Sequence, residues 1–395
     1  MIEDGGPFTI LAEMTFWAST GLIVYAYALY PLVIWICSLR WGARPAPPGP
    51  SDAELPTITL LIAAHNEESV IGSRLENALS LNYPREKFRI VVASDGSTDD
   101  TPSIVRRFAD RGVTLLDFRR NRGKAAALNE AWHCLASEIV LLSDANTWID
   151  PEAPRRLARW FALPDVGAVC GRLVLIDPQR GRNADGIYWR YETFLKRCES
   201  RLGALLGANG AIYAIRRQDY APIPGDTIID DFVIPLLMAL KSNRRLVYED
   251  DAVACEETPA EIRDEFRRRV RIGAGGFQSI RVLWPLLHPR YGWLAFSLIS
   301  HKLLRWLCPF FLLGELAASA CLSGRAFYFA AIVTQLSFMI VTLGCAKRSG
   351  HGYAVRLARL SAMFSAMNLA LLLGFFRWLS GRQQGAWTPT ARAPS

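Results

Sequence analysis

Apolar residues crowd the two ends of this chain and charged residues fill its middle. From Thr15 to Leu39 runs an uncharged stretch rich in Tyr and Trp, about long enough to cross a bilayer. Glu3 and Asp4 precede it and Arg40 and Arg44 follow it. That order is the reverse of a cleavable signal, and it predicts an amino terminus outside and a cytosolic domain next. Residues 45–56, opening Pro-Ala-Pro-Pro-Gly-Pro, predict a stiff linker. The apolar pattern returns at Tyr291. Tyr291 to Ser300, followed by His301, Lys302 and Arg305, reads as an interfacial helix. Leu303–Leu322, Phe327–Ala346 and Leu360–Leu379 read as spans. Lys347, Arg348, Arg356 and Arg359 place the loop between the last two inside, which leaves the tail outside, mildly against Arg382 and Arg392.

Between these ends the pattern alternates between strand and helix. Thr57–Ala63, Phe88–Ala93, Val113–Asp117 and Glu138–Ser143 are short apolar runs of the kind buried in a parallel sheet. Helical segments separate them, reaching about Leu81, Asp110 and His133. This is the pattern of right-handed βαβ units, a Rossmann-like nucleotide-binding half. Gly167–Ile176, Ala211–Ile215 and Arg245–Glu249 read as further strands, and Tyr188–Leu202 as an amphipathic helix. Asp230-Asp231 opens an apolar helix through Leu240, and Glu261–Arg281 is strongly basic. The expected division is a membrane segment at 1–44, the linker at 45–56, an α/β domain at 57–285 and a membrane region at 286–395.

Composition agrees with that division. The 395 residues are 51% hydrophobic yet 21% charged, as expected of a water-facing domain joined to membrane helices. A net charge of +8 fits basic flanks on the cytosolic side of a membrane. No zinc-finger or helix-turn-helix pattern supports a nucleic-acid partner. The eight cysteines never form C-x-x-C and read as reduced thiols.

Polar clusters stand at the ends of the apolar runs: His65-Asn66-Glu67, Ser94-Asp95-Gly96-Ser97, Arg122-Gly123-Lys124 and Ser143-Asp144-Ala145-Asn146. Parallel topology gathers strand-end clusters on one edge of a sheet, where ligands bind. Asp144 and Asn146 are hard oxygen donors suited to a divalent cation, Mg²⁺ or Mn²⁺, carried by a diphosphate; Asp144 equally suits a cap before Asp150 and Pro151. Asp95 can accept from a base or ribose edge, with Gly96 allowing close backbone approach, or can cap a helix beside Asp99. Lys124, near a helix start, can neutralise phosphate or lie solvated on the surface. Asp230-Asp231 can supply a general base or simply cap the helix before Phe232.

These residues together resemble a membrane-integrated glycosyltransferase of family 2, the branch of hyaluronan, chitin-oligosaccharide, cellulose and poly-N-acetylglucosamine synthases. The resemblance covers about residues 55–285 and implies a GT-A fold flanked by membrane helices. It implies that Pro56–Glu68, with His65 and Glu67, and Asp95 hold a uracil nucleotide, and that Asp144 and Asn146 stand at the D-x-D metal motif. It implies an acceptor segment at Gly207–Arg216, with Asn209 and Gly210 near the substrate, and Asp231 as catalytic base supported by Asp230. Two departures stand out. Asn146 replaces an aspartate, which weakens a metal site. The Gln-x-x-Arg-Trp signature of processive members is reduced to Arg268-Arg269-Val270-Arg271-Ile272, which keeps arginines for diphosphate, or for a basic face on anionic lipid, but lacks Gln and Trp.

Inverting sugar transfer needs in-line attack by an acceptor hydroxyl, a carboxylate to take its proton, and positive charge at the departing diphosphate. The expectation is an inner-membrane, multi-pass enzyme with a cytosolic catalytic domain. It would use a UDP-linked donor and a saccharide or lipid-linked acceptor. A processive synthase that extrudes its polymer is the nearest rival, and a non-catalytic nucleotide-binding subunit the more distant one.

Overall fold

A computed structural model describes residues 6–42, 46–177, 182–183, 186–257, 262–345 and 353–381. Lys347, Arg348, Arg382 and Arg392, used above to orient the membrane segments, lie outside those residues. Two compact units emerge. One, largely helical, comprises Met1–Val33, Glu265–Phe277 and Leu298–Gln383. The other, built on a sheet, comprises Ile34–Asp264 and Gln278–Ser297.

In chain order, α1 (Pro7–Val24) and α2 (Tyr30–Trp41) are joined by a π-helical turn, Tyr25–Leu29. Then come β1 (Ile58–Ala64), α3 (Glu68–Leu79), β2 (Phe88–Asp95), α4 (Thr101–Arg106), β3 (Val113–Phe118), α5 (Lys124–Trp132) and β4 (Ile139–Asp144). Next are β5 (Trp148–Ile149), α6 (Ala153–Ala158), β6 (Val166–Asp177), β7 (Arg182–Asn183), α7 (Ile187–Arg201) and β8 (Tyr213–Arg216). The chain continues with α8 (Asp230–Ser242), β9 (Arg245–Glu257), α9 (Ile262–Leu283), α10 (Trp293–Ser297), α11 (Leu304–Cys321), α12 (Ala326–Cys345) and α13 (Tyr353–Leu379).

The sheet runs β3-β2-β1-β4-β8-β6-β9-β5, with β7 on β6. Its first half is the parallel βαβ array the apolar runs predict: β1 pairs in parallel with both β2 and β4, and β2 with β3. Register brings Ala64 opposite Ser94 and Ala63 opposite Asp144, so the polar clusters end at one level. The second half is mixed. β8 runs antiparallel to β4, with Tyr213 opposite Leu142, and antiparallel to β6. Every residue of β1 is buried, and Leu60, Ile62, Leu141 and Ile212 join the same core. Burial on both faces is the reason these strands read as unbroken apolar runs.

Within the helical unit, Phe16 of α1 meets Phe327 and Tyr328 edge-on at 5.8 and 5.1 Å between centroids. Arg325 pairs with Glu13, and Thr20 Oγ1 donates to Glu315 Oε1 at 3.1 Å. Among the described residues, three helical stretches are long and apolar enough to cross a membrane: Pro7–Trp41, Trp293–Cys321 and Leu360–Leu379. Ala326–Ile340 is a shorter apolar helix. The interfacial helix expected before Leu303 is instead continuous with the following span, through a π-helical turn at Leu298–Leu303. Two of the three polar residues that suggested a break are internal. His301 and Arg305 are both buried, Arg305 Nη1 lies 3.1 Å from His301 Nε2, and the guanidinium sits 5.3 Å from the Tyr27 ring centroid.

Candidate active site

The carboxyl end of β4 is held in place by α3. Arg74, 2% exposed, donates through Nη2 to Ser143 Oγ (3.1 Å) and through Nε to the Asp144 carbonyl (3.4 Å). Its Nη1 donates to Asn77 Oδ1 at 3.0 Å. Asn77 in turn bonds the Ile149 backbone on both sides, Nδ2 to the carbonyl and Oδ1 from the N–H, each at 2.9 Å. A side-chain amide thus replaces a neighbouring strand, and the turn from Asp144 to Ile149 is fixed at both ends. Burial lowers Arg74 to about 10, with the charge of Asp144 opposing the fall. The guanidinium therefore stays charged at neutral pH.

Lys124 joins two chain segments far apart in sequence. From the start of α5 its Nζ donates to Asp144 Oδ1 at 2.8 Å and lies 3.1 Å from Asp230 Oδ2, an ion pair without hydrogen-bond alignment. Burial works against the ammonium, but Asp144, Asp230 and Asp231 outweigh it and hold Lys124 above the ordinary lysine value. Asp230 and Asp231 open α8, so the helix dipole also favours their negative charge. Gly210 sits between the carboxylates: a Cβ there would lie 3.2 Å from Asp144 Oδ2 and 3.5 Å from Asp231 Oδ2. Its N–H donates to Asp231 Oδ2 at 3.1 Å. Asp144, Lys124, Asp230, Asp231 and Gly210 therefore meet in one place. Burial, then repulsion from Asp230, pushes Asp231 up to about 6 against the pull of Lys124.

His65 and Asp95 also stand at strand ends, but their polar atoms are directed inward. Asp95 is fully buried, and its carboxylate accepts from the N–H groups of Arg122 (3.0 Å) and Gly123 (2.7 Å). His65 Nδ1 bonds the Asp95 carbonyl at 2.7 Å, and Nε2 meets Asn121 Nδ2 at 3.0 Å. Because Asn121 Oδ1 accepts from Gly123 N–H (3.1 Å), its Nδ2 must be the donor to His65, which fixes the histidine tautomer. Gly96, at φ +62°, permits a close approach to the chain itself: a Cβ there would lie 2.3 Å from Asn121 N. These residues hold the loop that leads into Lys124. Glu67 is buried at the N-cap of α3, its N–H donating to Thr101 Oγ1 at 2.8 Å. Asp99 takes the capping role, accepting from Thr101 N–H at 3.0 Å.

Residues 59–221 match the profile of glycosyl transferase family 2. A poly-beta-1,6-N-acetyl-D-glucosamine synthase of Staphylococcus epidermidis is 30% identical over 244 residues, which is 58% of this chain and 57% of that protein. The enzyme of the same name from Staphylococcus aureus strain COL is 29% identical over 240 residues, 58% of this chain and 56% of that protein. The matched region thus spans little more than half the length of these curated relatives. Among solved structures, a mannosyltransferase from Pyrobaculum calidifontis, in complex with GDP-Man and Mn²⁺, superposes with a TM-score of 0.70 at 23% identity. The match covers 95% of this chain and 99% of that one, and it shows the shared GT-A architecture.

The remaining motif residues divide between the two units. Asn209 is buried beside Gly210, and Asn146 is exposed one residue beyond the buried Ala145. Among the described residues no group of three or more His, Cys, Asp or Glu could hold a metal alone. A cation carried by a diphosphate needs only one or two protein ligands. The space beside Asp144 Oδ2, which a Cβ at Gly210 would fill, suits that smaller role. Arg268, Arg269 and Arg271 belong to the helical unit, on α9, where Arg268 and Arg269 pair with Glu265 at 3.6 and 2.8 Å.

Four residues near the site are not among the candidates named above. Arg74 holds β4, as described. Lys196 on α7 bonds Asn209 Oδ1. Gln278 binds the loop ahead of α8, accepting from Ile228 N–H (3.1 Å) and donating to the Asp226 carbonyl (2.9 Å). Tyr213, 1% exposed, has a buried hydroxyl without a partner, and burial, then Asp230 and Asp231, raises it well above the ordinary tyrosine value. A basic or amide residue on an amphipathic helix resembles surface, so periodicity alone does not mark these positions.

Proposed function

We propose that this protein is an inverting glycosyltransferase that moves a sugar from a nucleotide-diphosphate donor to a saccharide or lipid-linked acceptor at the cytosolic face of the inner membrane. The observation that carries the reading is the junction of Asp144, Lys124, Asp230 and Asp231 around Gly210. The similarity to poly-beta-1,6-N-acetyl-D-glucosamine synthases makes UDP-linked N-acetylglucosamine the donor to test first.

Asp231 is the base. As the acceptor oxygen forms its bond to the anomeric carbon, Asp231 takes the hydroxyl proton, and the bond from that carbon to the phosphate oxygen breaks. The electron pair leaves with the nucleoside diphosphate. Inversion follows because attack and departure lie on opposite faces of the sugar. A base raised to about 6 remains ionised at neutral pH yet holds a proton better than an ordinary carboxylate does. Lys124 presents positive charge from a helix start, where an anion also meets the dipole. Asp144, with the Asn146 amide oxygen, is the pair to hold a divalent cation. Such an ion, when bound, offsets charge on the leaving diphosphate.

Asp231→Asn tests the reading. Transfer from radiolabelled UDP-N-acetylglucosamine in membranes should fall at least about a thousandfold, while UDP affinity stays within about twofold. Activity equal to wild type would remove Asp231 from the mechanism. A processive synthase is the second reading, favoured by the relatives' names and opposed by the missing Gln and Trp of the signature.

A further inference from the structure

Lys196 lies on α7, outside every motif, and its ammonium is turned toward the site. It donates to Asn209 Oδ1 and lies 6.0 Å from the centroid of the Tyr248 ring. Asn209 is fixed from two other directions. Its Nδ2 donates to the Gly171 carbonyl at 2.8 Å, and its backbone N–H lies 3.2 Å from Cys170 Sγ. With Nδ2 committed to Gly171, the oxygen of the amide must face Lys196. The flanking residues reach Asp231. Gly210 N–H donates to its Oδ2 at 3.1 Å, and Ala208 N–H donates to its backbone carbonyl at 2.8 Å. Residues 208–210 thus hold both the main chain and the carboxylate of Asp231, and Lys196 holds residues 208–210.

We propose that Lys196 is a positioning residue for sugar transfer: acting through Asn209, it fixes the Gly210 N–H that aims the Asp231 carboxylate at the acceptor hydroxyl. This rests on the assignment of Asp231 as base. A carboxylate with one oxygen bound to a fixed N–H presents the other in a defined direction. An error of about 1 Å in such an arrangement costs on the order of a hundredfold in rate. The two lysines at this junction therefore have different duties. Lys124 meets Asp144 and Asp230, so its loss should weaken nucleotide binding. The hydrogen bond of Lys196 is to the turn that carries Gly210, so its loss should slow turnover and spare donor affinity.

The test uses the full chain in membranes and in detergent, comparing wild type, D231N, K196M, K196R, N209A and the K196M/N209A double variant. Turnover and donor KM are read from transfer of UDP-N-acetylglucosamine, and UDP affinity from calorimetry. K196M and N209A should each lower kcat by about tenfold or more, with donor KM and UDP affinity within about twofold of wild type. K196R should recover most of the loss. The double variant should be no slower than the slower single, because both changes break one link. Wild-type kcat in K196M, or losses that multiply in the double variant, would overturn the proposal. Retained UDP affinity reports a folded protein; if K196M binds no UDP, wild-type kcat in N209A overturns it instead. An active D231N defeats the base assignment itself, whereas an inactive D231N beside a fully active K196M defeats only the role of Lys196.

Discussion

Asp231 has its proton affinity set by a contest between burial with Asp230 on one side and Lys124 with Lys196 on the other, and the outcome is about 6 against an ordinary 3.8. Two opposite pH dependences follow. In its proposed role as base, Asp231 must be ionised, so kcat/KM should rise with pH through about 6 and level above it. For folding the sign reverses. Between 3.8 and about 6 the native state binds more protons than the unfolded chain, so this group's contribution to stability falls as pH rises through that window. Initial rates across pH 5 to 8, beside thermal melts across the same range, check both. An acid limb well below pH 5 would show that the enclosing carboxylates do not act on the base.

At the scale of elements, the end of β4 depends on a side chain from α3. Replacing Asn77 with Ala leaves the N–H and carbonyl of Ile149 and one N–H of Arg74 without their partner. Buried groups left unpaired in this way should cost roughly 2–4 kcal/mol. Denaturation of the solubilised protein measures that loss, and UDP binding should weaken with it as Asp144 shifts. The parallel strands β1 and β4 are legible in the sequence because burial on both faces gives unbroken apolar runs. The polar clusters are legible because strand ends punctuate those runs. β5, of two residues, and α6, of six, are too short to set a period. The direction of β8 depends on pairing partners distant in sequence, which local pattern does not encode. His65 by the family resemblance, and Asp95 by its position as well, read as nucleotide ligands, yet polar atoms of both are engaged by Asn121 and by the backbone before Lys124. Lys196 reads as a solvated charge on an amphipathic helix, and only the fold reveals Asn209 beside it.

For the whole molecule, the apolar stretches Pro7–Trp41, Trp293–Cys321 and Leu360–Leu379 bear on where the proposed reaction would occur and what would become of its product. Alkaline carbonate extraction should leave the protein in the membrane pellet. Products labelled from UDP-N-acetylglucosamine should resolve on a sizing gel as single additions, because Ile272 replaces the tryptophan of the processive signature. A ladder of long polymer would establish the synthase reading instead. The reversed pairing at the centre of the sheet has an evolutionary consequence. Asp144 arrives on a parallel strand, whereas Gly210 and Asp231 arrive from segments flanking an antiparallel one, with their own loops and lengths. Under the proposed function, the side that would meet the nucleotide and the side that would meet the recipient rest on separate segments, so a lineage could exchange one recipient for another without rebuilding the donor side.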